Sequence, residues 1–200
     1  MNKMNYQIFL AGVGGQGILS VTDILCNAAV EMGFTIRGSE THGMSQRGGS
    51  VFSNVRFGDV HSPLIMERTA DILIGFEPSE TLRYAKFVKS DGHSLINTHP
   101  IPSPSFILSK STYPSLKSIL SALKSYSSNV TSLNATKLAS ELGKPIVQNI
   151  IMLGVLSAVP ELPLTDDAMK MALKRQFKDQ FYDLNLKAYE LGQSCFKKDL

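Results

Sequence analysis

Cysteine is nearly missing from this chain: it has 2 in 200 residues, Cys26 and Cys195. They form no Cys-x-x-Cys pair, so the chain by itself does not offer the thiolate set of a zinc or iron–sulfur site. Two unpaired thiols fit a reducing, cytoplasmic setting. Long apolar runs are missing too. None approaches the roughly 18 residues needed to cross a bilayer. The opening MNKMNYQIFLAG is no secretory leader, because its short apolar run leads straight into glycines. A soluble protein with no membrane role is expected. Charge is scarce at 18% of residues, below the usual quarter. Residues 1–100 carry 8 Lys and Arg against 9 Asp and Glu, and residues 101–200 carry 12 against 8. Neither half is basic enough for a nucleic-acid partner. With 43% hydrophobic residues the chain can build one real core and still have apolar surface to bury on a partner. It shows no internal repeat and no second domain, so residues 1–200 read as a single domain.

The apolar pattern indicates an α/β fold: a Rossmann-like, mostly parallel sheet flanked by helices, with a helical C-terminal segment. Tyr6–Ala11 (YQIFLA) reads as a buried strand that stops at GVGGQG. Ile18, Val21, Leu25, Ala28, Ala29 and Met32 recur at helical spacing, and Phe34–Gly38 is the next strand. Val51–Phe57 alternates, with Val51, Ser53, Val55 and Phe57 on one face, and reads as a strand paired in a hairpin with Val60–Ile65. Ala70–Phe76 is a central strand, a helix follows near Ser79–Phe87, and Ser94–Asn97 is a further short strand. Eleven serines lie between Ser103 and Ser132, yet Leu116, Ile119, Leu120 and Leu123 form a helical stripe there. Asn129–Leu133 reads as a strand and Ala135–Leu142 as a helix stopped by Gly143. Ile146–Ala158 is apolar nearly all round and should be a buried helix. Thr165 is the expected N-cap of the next helix, with Asp166 and Asp167 in its first turn. Phe177, Phe181, Leu184, Ala188, Leu191 and Cys195 predict one apolar face on the last.

Two glycine-rich segments carry the chemistry. Gly12, Gly14 and Gly17 complete a GxGxxG pattern between a strand and a helix, where Gly12 turns the chain, Gly14 lets a ligand near and Gly17 lets the helix pack. The helix start then offers free N–H groups to an anion. Gly15 and Gln16 belong to the same loop. Glu40 follows the second strand, where a dinucleotide-binding fold places its ribose-binding acid. Beyond it, Thr41, His42, Ser45, Gln46 and Arg47 share the edge of the sheet where open α/β folds take ligands, and Gly48 and Gly49 permit close backbone approach. Arg47 can fork to a phosphate or carboxylate, or clamp loop carbonyls. Asn149 lies in the buried helix and should bond a neighbouring loop. His61, His93 and His99 carry no readable signal.

GVGGQGI together with SETHGMSQRGGSVFSNVRFG resembles the gamma domain of the 2-oxoacid:ferredoxin oxidoreductases. The form HGMSQRGGSV is most similar to the small subunit of the indolepyruvate-type enzymes. ADILIGFEPSETLRY, PIVQNIIMLG and NLKAYELG extend the likeness over nearly the whole chain, the serine-rich segment least. The resemblance implies a subunit that holds no cofactor alone. Thiamine diphosphate and iron–sulfur clusters would sit in a large partner subunit, coenzyme A would be the co-substrate, and ferredoxin would take the electrons through the complex. A dimer of heterodimers is one arrangement this allows. It implies that Gly14, Gly15, Gln16, His42, Arg47 and Gly48 close over the coenzyme A side of the reaction centre, with no catalytic residue assigned. Two other readings stay open on the residues alone. One is a stand-alone NAD(P)- or flavin-binding oxidoreductase, which leaves HGMSQRGG idle. The other is a non-catalytic nucleotide-binding scaffold.

Overall fold

A computed structural model describes residues 5–40, 48–102 and 112–196. Its six strands are β1 (Tyr6–Val13), β2 (Ile36–Glu40), β3 (Ser50–Phe57), β4 (Ala70–Gly75), β5 (Val88–Asn97) and β6 (Asn129–Leu133). They form one sheet in the order β2-β3-β1-β4-β5-β6. β1, β4, β5 and β6 are parallel neighbours. β3 runs antiparallel to both β1 and β2.

Seven helices are described: α1 (Ile18–Glu31), α2 (Pro78–Arg83), α3 (Leu116–Leu123), α4 (Ala135–Glu141), α5 (Gln148–Ser157), α6 (Asp166–Gln176) and α7 (Asp179–Phe196). None is long and apolar enough to cross a membrane.

β1 shows why the central strands read as unbroken apolar runs. Ile8 and Leu10 enter one core with α1, α5, α6 and α7. Phe9 and Ala11 enter a second core with α3 residues Ile119 and Leu123. A strand covered on both faces has no polar side to show. Each large side chain removed from water in these cores contributes about 1.5–3 kcal/mol. In the second core Phe9 stacks on Phe52 and Phe87 with ring centroids 5.5 and 4.5 Å apart.

Several expectations need correction. The second strand does not lie beside β1, because β3 inserts between them. Two antiparallel pairings in succession still leave β2 and β1 pointing the same way, so both end at one edge of the sheet. Val60–Ile65 is no strand. Gly58 turns the chain with φ +110°, and Arg56 donates to the carbonyls of Ser62 and Leu64 at 2.7 and 3.0 Å, holding that segment as a loop over the face of β3. Ile146 is 80% exposed, in a 3-10 turn before α5.

The expected stripe of α7 holds in part: Ala188 is buried and Phe177, Leu184, Leu191 and Cys195 pack against the core, but the most buried line runs beside it. Asn185, Ala188, Tyr189, Gly192 and Phe196 are buried, while Phe181 is 49% exposed. The cause is a close helix crossing. A Cβ on Gly192 would overlap the Ile151 carbonyl oxygen, and one on Gly154 would overlap that of Tyr189. α5 and α7 therefore meet backbone to backbone, and Gly192 rather than a large residue marks the contact line. Gly192→Ala should destabilise the fold by about 1–3 kcal/mol or more, because the obstacle is rigid backbone. Urea denaturation followed by circular dichroism reads the loss, and an unchanged midpoint would refute this packing.

Candidate functional site

The edge where β1 and β4 end and β3 begins gathers the glycine segments. β1 and β3 pair up to Val13 opposite Ser50. The pairing continues past the strand ends. Gly14 donates to the Gly49 carbonyl at 2.8 Å, and Gly48 donates to the Gly14 carbonyl at 3.1 Å. The two segments, 34 positions apart, are thus joined as one surface. Gly12 pairs with Val51 within the ladder.

Gln16 faces inward and is buried. Its Oε1 accepts from the Val13 N–H at 2.7 Å, and its Nε2 donates to the Phe76 carbonyl at 2.7 Å. It shapes the loop from behind and is not presented to a ligand. Gly17 starts α1 with φ +75°. Its carbonyl accepts from Asn149 Nδ2 at 3.3 Å, the bond to a neighbouring loop that a buried asparagine calls for. The Asn149 amide also occupies the space that a side chain at position 17 would need.

The start of α1 is left open. It has no side-chain cap and no acid in its first turn. Among the described residues, the N–H groups of Gly15 and Gly17 have no intramolecular acceptor. These amides and the first-turn amides of α1 border a cavity of about 350 Å³ lined by Val13, Gly14, Gly15, Gly17, Ile18, Leu19, Ser20, Val51 and Phe52. Uncapped amides and the helix dipole favour an anion, while the apolar wall suits a ligand with a nonpolar part.

Glu40 sits at the end of the outer strand β2, opposite Ser53. With β3 between it and β1, it does not stand beside the first glycine loop as a ribose-binding acid does in a dinucleotide fold. Its charge acts on Cys26 instead: burial, then Asp23 and Glu40, push that thiol up to about 11. His42, Ser45, Gln46 and Arg47 lie outside the described residues. Among the described residues no three His, Cys, Asp or Glu side chains gather as metal ligands.

Sequence reasoning passed over a buried polar seam behind this edge. Glu77 caps α2, and its carboxylate accepts from Glu80 N–H at 2.9 Å and Ser79 Oγ at 2.7 Å on Oε2. Its Oε1 accepts from Tyr113 Oη at 2.5 Å and Ile101 N–H at 3.1 Å. That bond, with burial, raises the Tyr113 hydroxyl well above its ordinary value, burial being the larger cause. Asn97, at the end of β5, donates to the Phe76 carbonyl at 3.2 Å and accepts from Ala135 N–H at 3.0 Å. The available signal was a Glu-Pro step directly after an apolar strand, a pattern of helix capping.

Residues 7–195 match the family described as pyruvate ferredoxin/flavodoxin oxidoreductase. The chain is similar to indolepyruvate oxidoreductase subunit IorB of Archaeoglobus fulgidus, 39% identical over 94% of each chain. It is also similar to that of Pyrococcus horikoshii, 38% identical over 98% of each. In fold it is similar to the gamma subunit of a keto/oxoacid ferredoxin oxidoreductase from Geobacter sulfurreducens, with a TM-score of 0.71 at 23% identity, covering 96% of this chain and 99% of that one. A 2-oxoglutarate:ferredoxin oxidoreductase from Magnetococcus marinus, with 2-oxoglutarate, coenzyme A and succinyl-CoA bound, matches 98% of this chain with 32% of its own, at a TM-score of 0.73 and 19% identity.

Gln16→Ala should unfold the loop rather than spare it. It strips the acceptor from the buried Val13 N–H and one of two donors from the Phe76 carbonyl, which keeps Asn97, for a loss of about 1–3 kcal/mol. Denaturant titration of the isolated chain measures this. A loss below about 0.5 kcal/mol would return Gln16 to the ligand-facing side.

Proposed function

This chain belongs to the pyruvate ferredoxin/flavodoxin oxidoreductase family, and from that premise we propose that it serves as the small subunit of an indolepyruvate-type 2-oxoacid:ferredoxin oxidoreductase. The carrying observation is the chain-long likeness to relatives that are themselves named as subunits of such enzymes. A larger partner subunit holds thiamine diphosphate and the iron–sulfur clusters, and ferredoxin takes the electrons from the complex. The reaction converts a 2-oxoacid to an acyl-CoA. Residues 1–200 act as one gamma-type domain.

In this reading the glycine edge supplies the coenzyme A side of a shared site. Coenzyme A carries anionic phosphates and a less polar arm, the two properties the α1 edge accommodates. The open amides of Gly15, Gly17 and the first turn of α1 receive phosphate oxygens. Val13, Ile18, Leu19, Val51 and Phe52 keep water from the arm. Gly14, Gly48 and Gly49 bring backbone close to ligand or partner, and His42, Ser45, Gln46 and Arg47 are the polar residues of the second segment assigned to the same task. Thiamine diphosphate supplies the carbanion chemistry when bound in the partner. The NAD reading is weaker, since Glu40 is parted from the first loop by a whole strand.

Co-expression with the large subunit should yield a complex that reduces a low-potential dye in the presence of an arylpyruvate and coenzyme A, while the chain alone is inert. NAD(P) or flavin bound tightly to the isolated chain would overturn the subunit reading. Ser20→Asp tests the edge. An acid in the first turn should steady α1 by about 0.3–1 kcal/mol, yet raise the KM for coenzyme A about tenfold by repelling its phosphates. An unchanged KM would place the anion elsewhere.

A further inference from the structure

The turn from β4 into α2 carries two carboxylates with no solvent exposure, Glu77 and Glu80. Glu77 has a donor on each oxygen. Glu80 is satisfied on one side only. Its Oε2 accepts from Ser50 Oγ at 2.5 Å and Arg83 Nε at 3.1 Å. Its Oε1 is buried with no donor among the described residues. Buried acceptors are nearly always paired, and a neutral side chain of the same shape would be less costly to bury. Glu80 is thus an expensive choice if its task is only to fill space.

Its partner shows what else it does. Ser50 is the first residue of β3 and follows Gly48 and Gly49 directly. Those two glycines exchange the backbone bonds with Gly14 that join the loops. Glycine has no side chain to pack and a wide choice of backbone angles, so the place of this pair depends on what grips its neighbour. Ser50 is gripped from the far side by a charge-assisted bond, the strong kind, and its hydroxyl lies 3.1 Å from Tyr84 Oη.

We propose that Glu80 is a positioning residue: by holding the Ser50 hydroxyl it sets where Gly48 and Gly49 meet the first glycine loop, and so the shape of the edge offered to coenzyme A. The inference rests on the coenzyme A reading of that edge. Glu80 touches neither substrate nor cofactor and acts only through Ser50.

The test uses the assembled complex, with KM and kcat measured for coenzyme A and thermal midpoints taken in parallel. Ser50→Ala should raise the KM at least fivefold while kcat changes less than twofold. Ser50→Thr, which keeps the hydroxyl, should restore it. Glu80→Gln keeps an acceptor but loses the charge, and should fall between them with a thermal midpoint no lower than that of the parent. A KM within twofold of the parent for both Ser50→Ala and Glu80→Gln overturns the proposal. So does a fall in midpoint with kcat and KM unmoved, or a defect that threonine fails to rescue. If Ser50→Ala does not assemble, Glu80→Gln decides alone. Ser20→Asp in the same assay separates the two readings. A KM shift there without one in the Ser50 and Glu80 variants sinks only the role of Glu80, and no shift in any of the three sinks the edge itself.

Discussion

Two backbone hydrogen bonds, between Gly14 and the Gly48–Gly49 pair, organise the candidate site. They extend the β1–β3 ladder beyond the last side chain that could support it. Because they use main-chain atoms, they form without any side chain, and glycine stands at all three positions. Their consequence is electrostatic as well as steric. Gly14 gives up its N–H to the crossing, so the groups left for a ligand are those of Gly15, Gly17 and the first turn of α1. What looks in one dimension like a phosphate loop is in three dimensions half ladder and half open amides at the start of α1.

The rest of the edge is built to keep that crossing in place. The Phe76 carbonyl accepts from Gln16 and from Asn97, tying the first loop to the ends of β4 and β5. At the next residue, Glu77 collects donors from Ile101 and Tyr113. Glu80 reaches the opposite way to Ser50. These are buried polar groups at the one place where a parallel sheet cannot satisfy them by its own ladder, since strands end there with unpaired carbonyls. A polar seam at that edge is both a structural necessity and a stiff backing for whatever docks in front of it.

Much of this was legible in one dimension. The buried strands appear as apolar runs because both their faces are covered, and α3 was recoverable from its serines by Leu116, Ile119, Leu120 and Leu123 alone. Thr165 caps α6 as its type and position suggested, accepting from Ala168 N–H. The failures share a cause. Strand order is a long-range property, and nothing local in Val51–Phe57 says that it will slip between β1 and β2. The stripe on α7 does pack on the core, but its closest line was missed because the pattern of large residues hides a glycine crossing, where the tightest contact has no side chain to betray it. Gln16 was placed on the coenzyme A side by the resemblance, which carries no sign of the Val13 N–H and Phe76 carbonyl that its amide bonds behind the loop.

Sequence alone determined the α/β class, the helical tail, the want of a metal-binding cysteine set and the two glycine segments as the place to look. Those are matters of composition and local period, which each residue carries with it. Only the tertiary structure decided that the segments touch, that Glu40 is parted from the first of them by β3, that Gln16 faces inward and that Glu80 stands behind Ser50. Each of these is a contact between residues 24 to 60 positions apart, or the lack of one, and such contacts follow from strand order and helix crossing, which no local pattern encodes.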